Sequence, residues 1–192
     1  MFDNIIEKNI EFLQKYGTQM ETEDDKGIYK YGLQILYSYV VNVTAILAIS
    51  ALFGRLYETA IMIFVFAVFQ VFNGGCHAKT KIKCSALMVA GSIAGNVLAS
   101  VIQNHEVLMV VSAIVLSAVV VAAEPVMNIK HPVSKKTYSR SKRISRIAVL
   151  ASLISAVLLT ISGKNIEAAA IVSTLYLYVI SLSTAKAMEF QR

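Results

Sequence analysis

A thiol attacks a carbonyl only after losing its proton, and an imidazole beside it can take that proton and later hand it to a leaving amine. One stretch of the 192-residue chain brings the two groups together: Phe72-Asn73-Gly74-Gly75-Cys76-His77-Ala78-Lys79-Thr80-Lys81-Ile82-Lys83-Cys84. His77 and Cys84 stand seven residues apart. In an unbroken helix that spacing shares a face but separates the α-carbons by about 10.5 Å, too far for contact. A bend or loop is therefore required between them, and Gly74-Gly75 supplies permissive backbone just before the histidine. Cys84 opens an apolar segment and follows Lys79, Lys81 and Lys83. A helix N-terminus with basic neighbours is a setting in which reactive thiols are found.

Blander readings exist for each residue. A cysteine at a helix end can simply pack, and a histidine can simply hydrogen-bond. Cys76, His77 and Cys84 offer three metal ligands, but no second CxxC or HxxxH closes a tetrahedral site, so neither a metal nor another cofactor is expected. Gln70 and Asn73 can donate to an oxyanion or orient the imidazole, or can be plain interfacial polar residues. Glu124, just before Pro125, can pair with nearby basic residues or act as a third catalytic member; pairing is the favoured reading.

The elements that must position these groups are membrane helices. Hydrophobic residues make up 56% of the chain and charged ones only 16%, with a mean hydropathy of +0.62. A soluble domain of this size needs more polar surface. The apolar residues also come in blocks: Ile35–Phe53, Leu56–Phe72, Ser85–Val101, Val107–Ala123, Ile144–Ile161 and Ile166–Leu182. A helix of such a length reaches roughly 26–28 Å, near the hydrocarbon thickness of a bilayer. The fourth block is the clearest; the second, with Glu58 and Gln70 near its ends, is the least secure.

Charge orients these spans. With the N-terminus inside, the connections 54–55, 102–106 and 162–165 face outward and carry only Arg55 and Lys164 of the 18 basic residues. The other 16 fall on the cytoplasmic side, a strong positive-inside bias. That sorting also accounts for the net charge of +6, so no nucleic-acid partner is expected. Residues 1–34 form a separate amphipathic element, with Phe2, Ile5, Ile6, Ile10, Leu13 and Tyr16 at helical spacing and charges opposite. They read as an interfacial or cytoplasmic helix, with Glu21-Thr22-Glu23-Asp24-Asp25 as a solvated turn and no cleavable signal. The expected architecture is all-α: a six-helix transmembrane domain over 35–192, both termini cytoplasmic, with a chemical loop at 73–84 and a basic cytoplasmic loop at 124–146.

Six apolar segments, Gly-Gly-Cys-His-Ala, Cys84 seven residues after the histidine, and a basic proline-containing loop before the last two spans together resemble the accessory gene regulator protein B (AgrB) family. The resemblance implies a bacterial membrane cysteine endopeptidase that processes a quorum-sensing propeptide, an amphipathic AgrD-like substrate. His77 and Cys84 match the family's catalytic pair, Gly75 its motif glycine, and Pro125 and Pro132 its loop prolines. Staphylococcal members carry arginine ahead of the histidine, where this chain has Gln70-Val71-Phe72-Asn73. Precursors of this family end in an acidic tail, which Lys135, Lys136 and Arg140 can receive. Lipid is the other expected partner, and the reading admits a homodimer. Two other functions compete, a non-enzymatic membrane partner and a small peptide transporter. The second is weakened by the lack of paired intramembrane charges and of inverted halves.

Overall fold

The computed structural model describes residues 3–16, 23–74, 81–126 and 135–190. Its described residues form seven helices: α1 (Asp3–Lys15), α2 (Glu23–Leu52), α3 (Leu56–Asn73), α4 (Lys81–Ile102), α5 (Glu106–Ala122), α6 (Lys135–Ile161) and α7 (Asn165–Phe190). The chain divides into two compact units, Met1–Ala45 and Ile46–Arg192.

In the first unit, α1 buries Ile6 and Ile10, one turn apart, and exposes Ile5 and Phe12, with Tyr16 exposed just after its end. Asn9 Nδ2 donates to the Tyr37 hydroxyl at 2.8 Å, and Lys30 lies 3.7 Å from Glu7, joining α1 to the first half of α2. Glu23, Asp24 and Asp25 are the first turn of α2 rather than a solvated turn. Helix α2 then runs unbroken through position 34, because no proline or paired glycine interrupts residues 23–52.

The second unit is a bundle centred on α7, which packs against α3, α4, α5 and α6. Its sequence suits that place. Ala168, Ala169, Ala170, Ser173 and Thr174 are wholly buried, and small side chains let neighbouring backbones approach where lipid gives no hydrophobic drive to association. Facing α7, α3 buries Glu58, Thr59, Met62, Phe69 and Asn73, a single helical stripe. Large apolar residues such as Phe64, Val107, Ile154 and Ile180 point outward, as a lipid-facing surface requires.

Among the described residues, five helical stretches are long and apolar enough to cross a bilayer: Tyr29–Leu52, Leu56–Asn73, Lys83–Ile102, Lys135–Ile161 and Asn165–Ala187. The protein is thus an all-α, multi-pass membrane protein. The second block, doubtful in sequence, is among the five. Glu58 is tolerated at its end because the buried carboxylate meets Arg55 Nη1 at 3.0 Å. The fourth block forms a helix of only 17 residues, shorter than these five. Residues 135–146, read from sequence as loop, are the first three turns of α6.

The connections fall into two kinds. Three-residue turns join α2 to α3, α4 to α5 and α6 to α7, two of them built on left-handed glycines, Gly54 (φ 67°) and Gly163 (φ 73°). The last two of these turns make α4 and α5, and α6 and α7, antiparallel neighbours. A hydrogen bond from Asn165 Nδ2 to Glu106 Oε1 (3.1 Å) brings two of them to the same end of the bundle. The last turns of α3 and α5 and the first turns of α4 and α6 lie at the other end.

Candidate functional site

Cys84 is the fourth residue of α4, in its first turn, where the amide N–H groups lack intrahelical partners and the helix dipole is positive. Its thiol is free and half-buried. Lys83 beside it is exposed, and the first turn holds no acidic residue. Further along α4, Asn96 Nδ2 donates to Thr59 Oγ1 near the start of α3 (2.9 Å). The two helices therefore run in opposite directions, and Cys84 stands at the end of the bundle where α3 terminates.

That terminus is held by three main-chain contacts. Gly74 N–H donates to the Gln70 carbonyl at 3.1 Å and closes the helix. Val126 N–H, from the segment after α5, donates to the Asn73 carbonyl at 3.0 Å. The Tyr178 hydroxyl, from α7, donates to the Gly74 carbonyl at 2.9 Å. Gly74 has φ 74° and ψ −170°, backbone that only glycine adopts readily. A Cβ there would sit 2.5 Å from the Val126 carbonyl oxygen. Asn73 is 2% exposed, and its Nδ2 makes no hydrogen bond of ordinary geometry among the described residues. Gln70 is half-buried and enters this arrangement through its carbonyl.

Val126 also leads to the charged residues at this end. Glu124 is bound by Lys142 and by the Tyr138 hydroxyl, across from the end of α5 to the start of α6. These two contacts, Lys142 first, lower the carboxyl pKa below its ordinary value. Lys135, Lys136 and Arg140 are exposed on the first turns of α6. Gly75, Cys76, His77 and Pro132 lie outside the described residues. The sequence had pointed to Gly74, Asn73, Gln70 and Glu124 but gave no sign of Tyr178 or Val126. A tyrosine in an apolar span and a valine after a proline carry no local signature of such contacts.

Known proteins supply the remaining evidence. The profile of the family Accessory gene regulator B matches residues 6–184, nearly the whole chain. Protein FsrB of Enterococcus faecalis (strain ATCC 47077 / OG1RF) is 38% identical over 78 residues, covering 39% of this chain and 32% of that protein. The matched stretch thus spans about a third of that relative's length. No solved structure matches the chain. With the profile running from α1 into α7, the chain belongs to the Accessory gene regulator B family.

Proposed function

We propose that the protein is a membrane cysteine endopeptidase that removes the C-terminal tail of a quorum-sensing propeptide and leaves the remainder ready to cyclise. The observation that carries this reading is the free, half-buried Cys84 thiol in the first turn of α4, at the bundle end where the Gly74 segment begins. Family membership supports a role in AgrD-like peptide processing. In the proposed reaction His77 takes the Cys84 proton and the sulfur attacks the carbonyl at the end of the signal sequence. The C–N bond breaks, the leaving amine takes the proton from His77, and the peptide remains as a thioester on Cys84. A Cys or Ser side chain of the peptide then attacks that thioester, releasing a thiolactone or lactone and restoring the thiol. Water would discharge the thioester irreversibly, so a site at the bilayer edge favours cyclisation.

The same reading makes α5 a sixth crossing, since 17 residues span about 26 Å. Both termini and the 73–84 segment then face the cytoplasm of a bacterial cell, and α1 lies along the inner surface. The test is co-expression with a candidate short amphipathic precursor, and weighing of the products. Cys84→Ala and His77→Ala should each abolish cleavage while leaving membrane insertion intact. Full cleavage by Cys84→Ala ends the cysteine-protease reading.

A further inference from the structure

The two helices that flank the chemical segment, α3 and α4, both pack against one helix. Helix α7 packs against α3, which ends just before the segment, and against α4, which begins just after it. A side-chain hydrogen bond reaches from α7 into the main chain at that boundary, the Tyr178 hydroxyl on the Gly74 carbonyl at 2.9 Å. Tyr178 itself is fully buried, its ring fixed between Phe69 (centroids 5.1 Å) and Phe66 (6.0 Å, edge-on). A donor fixed in this way specifies where the carbonyl must point. The carbonyl direction is the ψ of Gly74, at a residue whose missing side chain leaves ψ loosely restrained by sterics. Three residues later stands His77.

We propose that Tyr178 is a positioning residue for the reaction: through the Gly74 carbonyl, its hydroxyl sets the direction in which the chain leaves α3 toward His77. This rests on the His77–Cys84 reading above. The Val126 N–H bond to the Asn73 carbonyl holds the same turn from the other side. Without the hydroxyl, Gly74 gains alternative ψ values, and proton transfer from Cys84 to His77 should slow.

The experiment uses the full-length protein in liposomes, with iodoacetamide at neutral pH as the probe. Lys79, Lys81 and Lys83 place Cys76 and Cys84 in different tryptic peptides, so mass spectrometry reads Cys84 alone. His77→Ala should slow alkylation of Cys84 by about tenfold or more, because the base that takes the thiol proton is gone. Tyr178→Phe keeps the ring and should slow it by about fivefold, the effect of one lost hydrogen bond. Tyr176→Phe removes another hydroxyl of the same helix, bonded to Ser112 at 2.7 Å, and should leave the rate unchanged. In the His77→Ala background, Tyr178→Phe should have no further effect, since a residue acting through His77 has nothing left to position. A role in general stability would slow or speed the reaction in both backgrounds and would be shared by Tyr176→Phe. The proposal is overturned if His77→Ala slows the reaction and Tyr178→Phe does not, or if the two effects add. If His77→Ala itself changes nothing, the Cys–His reading fails, and the proposal with it.

Discussion

Gly74→Ala tests the boundary between α3 and the chemical segment most severely. The backbone there, φ 74° and ψ −170°, lies in a region that is essentially glycine's, and a residue with a Cβ held in it costs about 1–3 kcal/mol. The new Cβ also meets the Val126 carbonyl oxygen at 2.5 Å. Backbone is not the tip of a flexible side chain, so Val126 must move as a unit. Its N–H bond to the Asn73 carbonyl (3.0 Å) then lengthens or breaks, at a cost of about 1 kcal/mol or somewhat less in a membrane protein. The total expected is about 3 kcal/mol, a large share of the stability of an ordinary domain. Two internal controls separate strain from collision. Gly54 and Gly163 also have positive φ, 67° and 73°, but a Cβ at either meets nothing within 4 Å. Alanine at those positions should cost only about 1–2 kcal/mol, from the left-handed backbone alone. Equilibrium unfolding in mixed micelles titrated with SDS, followed by tyrosine fluorescence, reads all three variants on one scale. A Gly74→Ala protein no less stable than Gly163→Ala would refute the argument, because it would mean that the Val126 main chain yields freely.

Further expectations follow from other parts of the molecule. Cys76→Ala should retain most cleavage activity; a loss as deep as that of Cys84→Ala would bring a metal or redox site back into contention. In intact cells, a membrane-impermeant thiol reagent should label Asn104→Cys and Lys164→Cys but not Ser139→Cys, and labelling at 139 from outside would invert the orientation. Replacing Lys135, Lys136 and Arg140 together by Gln should lower cleavage at limiting precursor, spare it at saturating precursor, and remove its salt dependence, since exposed charges are screened within about 8 Å at physiological salt. Unchanged cleavage at limiting precursor would leave those residues as orientation signals only. Glu124 has its pKa lowered by Lys142 and Tyr138, so in the folded protein it sheds its proton more readily than in the unfolded chain. Its stabilising contribution is therefore present in full above the ordinary carboxylate value of 4.5 and is lost as pH falls through the lowered one. The stability difference between the wild type and Glu124→Gln should follow that course, and a difference that persists in strong acid would count against it.

The division between sequence and tertiary structure follows from what each interaction depends on. Burial in lipid depends on composition over a helix length, so the membrane class and the apolar spans were legible in blocks such as Leu56–Phe72. Local backbone need is legible too: the permissive backbone of Gly74 stands where α3 ends, with φ 74°. Helix ends were less so. Glu23–Asp25 and Lys135–Arg146 looked like solvated connections because they are polar, yet each is the first stretch of a long helix reaching beyond the apolar core. Polarity excludes a residue from lipid, not from a helix. What only the tertiary structure decided is which helix stands at the centre. Helix α7 reads in sequence like any other span, and its burial arises from neighbours distant in the chain. The Tyr178–Gly74 bond joins residues 104 positions apart, and Val126 reaches Asn73 from beyond a different helix. No local pattern encodes such pairs, because each partner is satisfied by geometry that exists only when the bundle has formed.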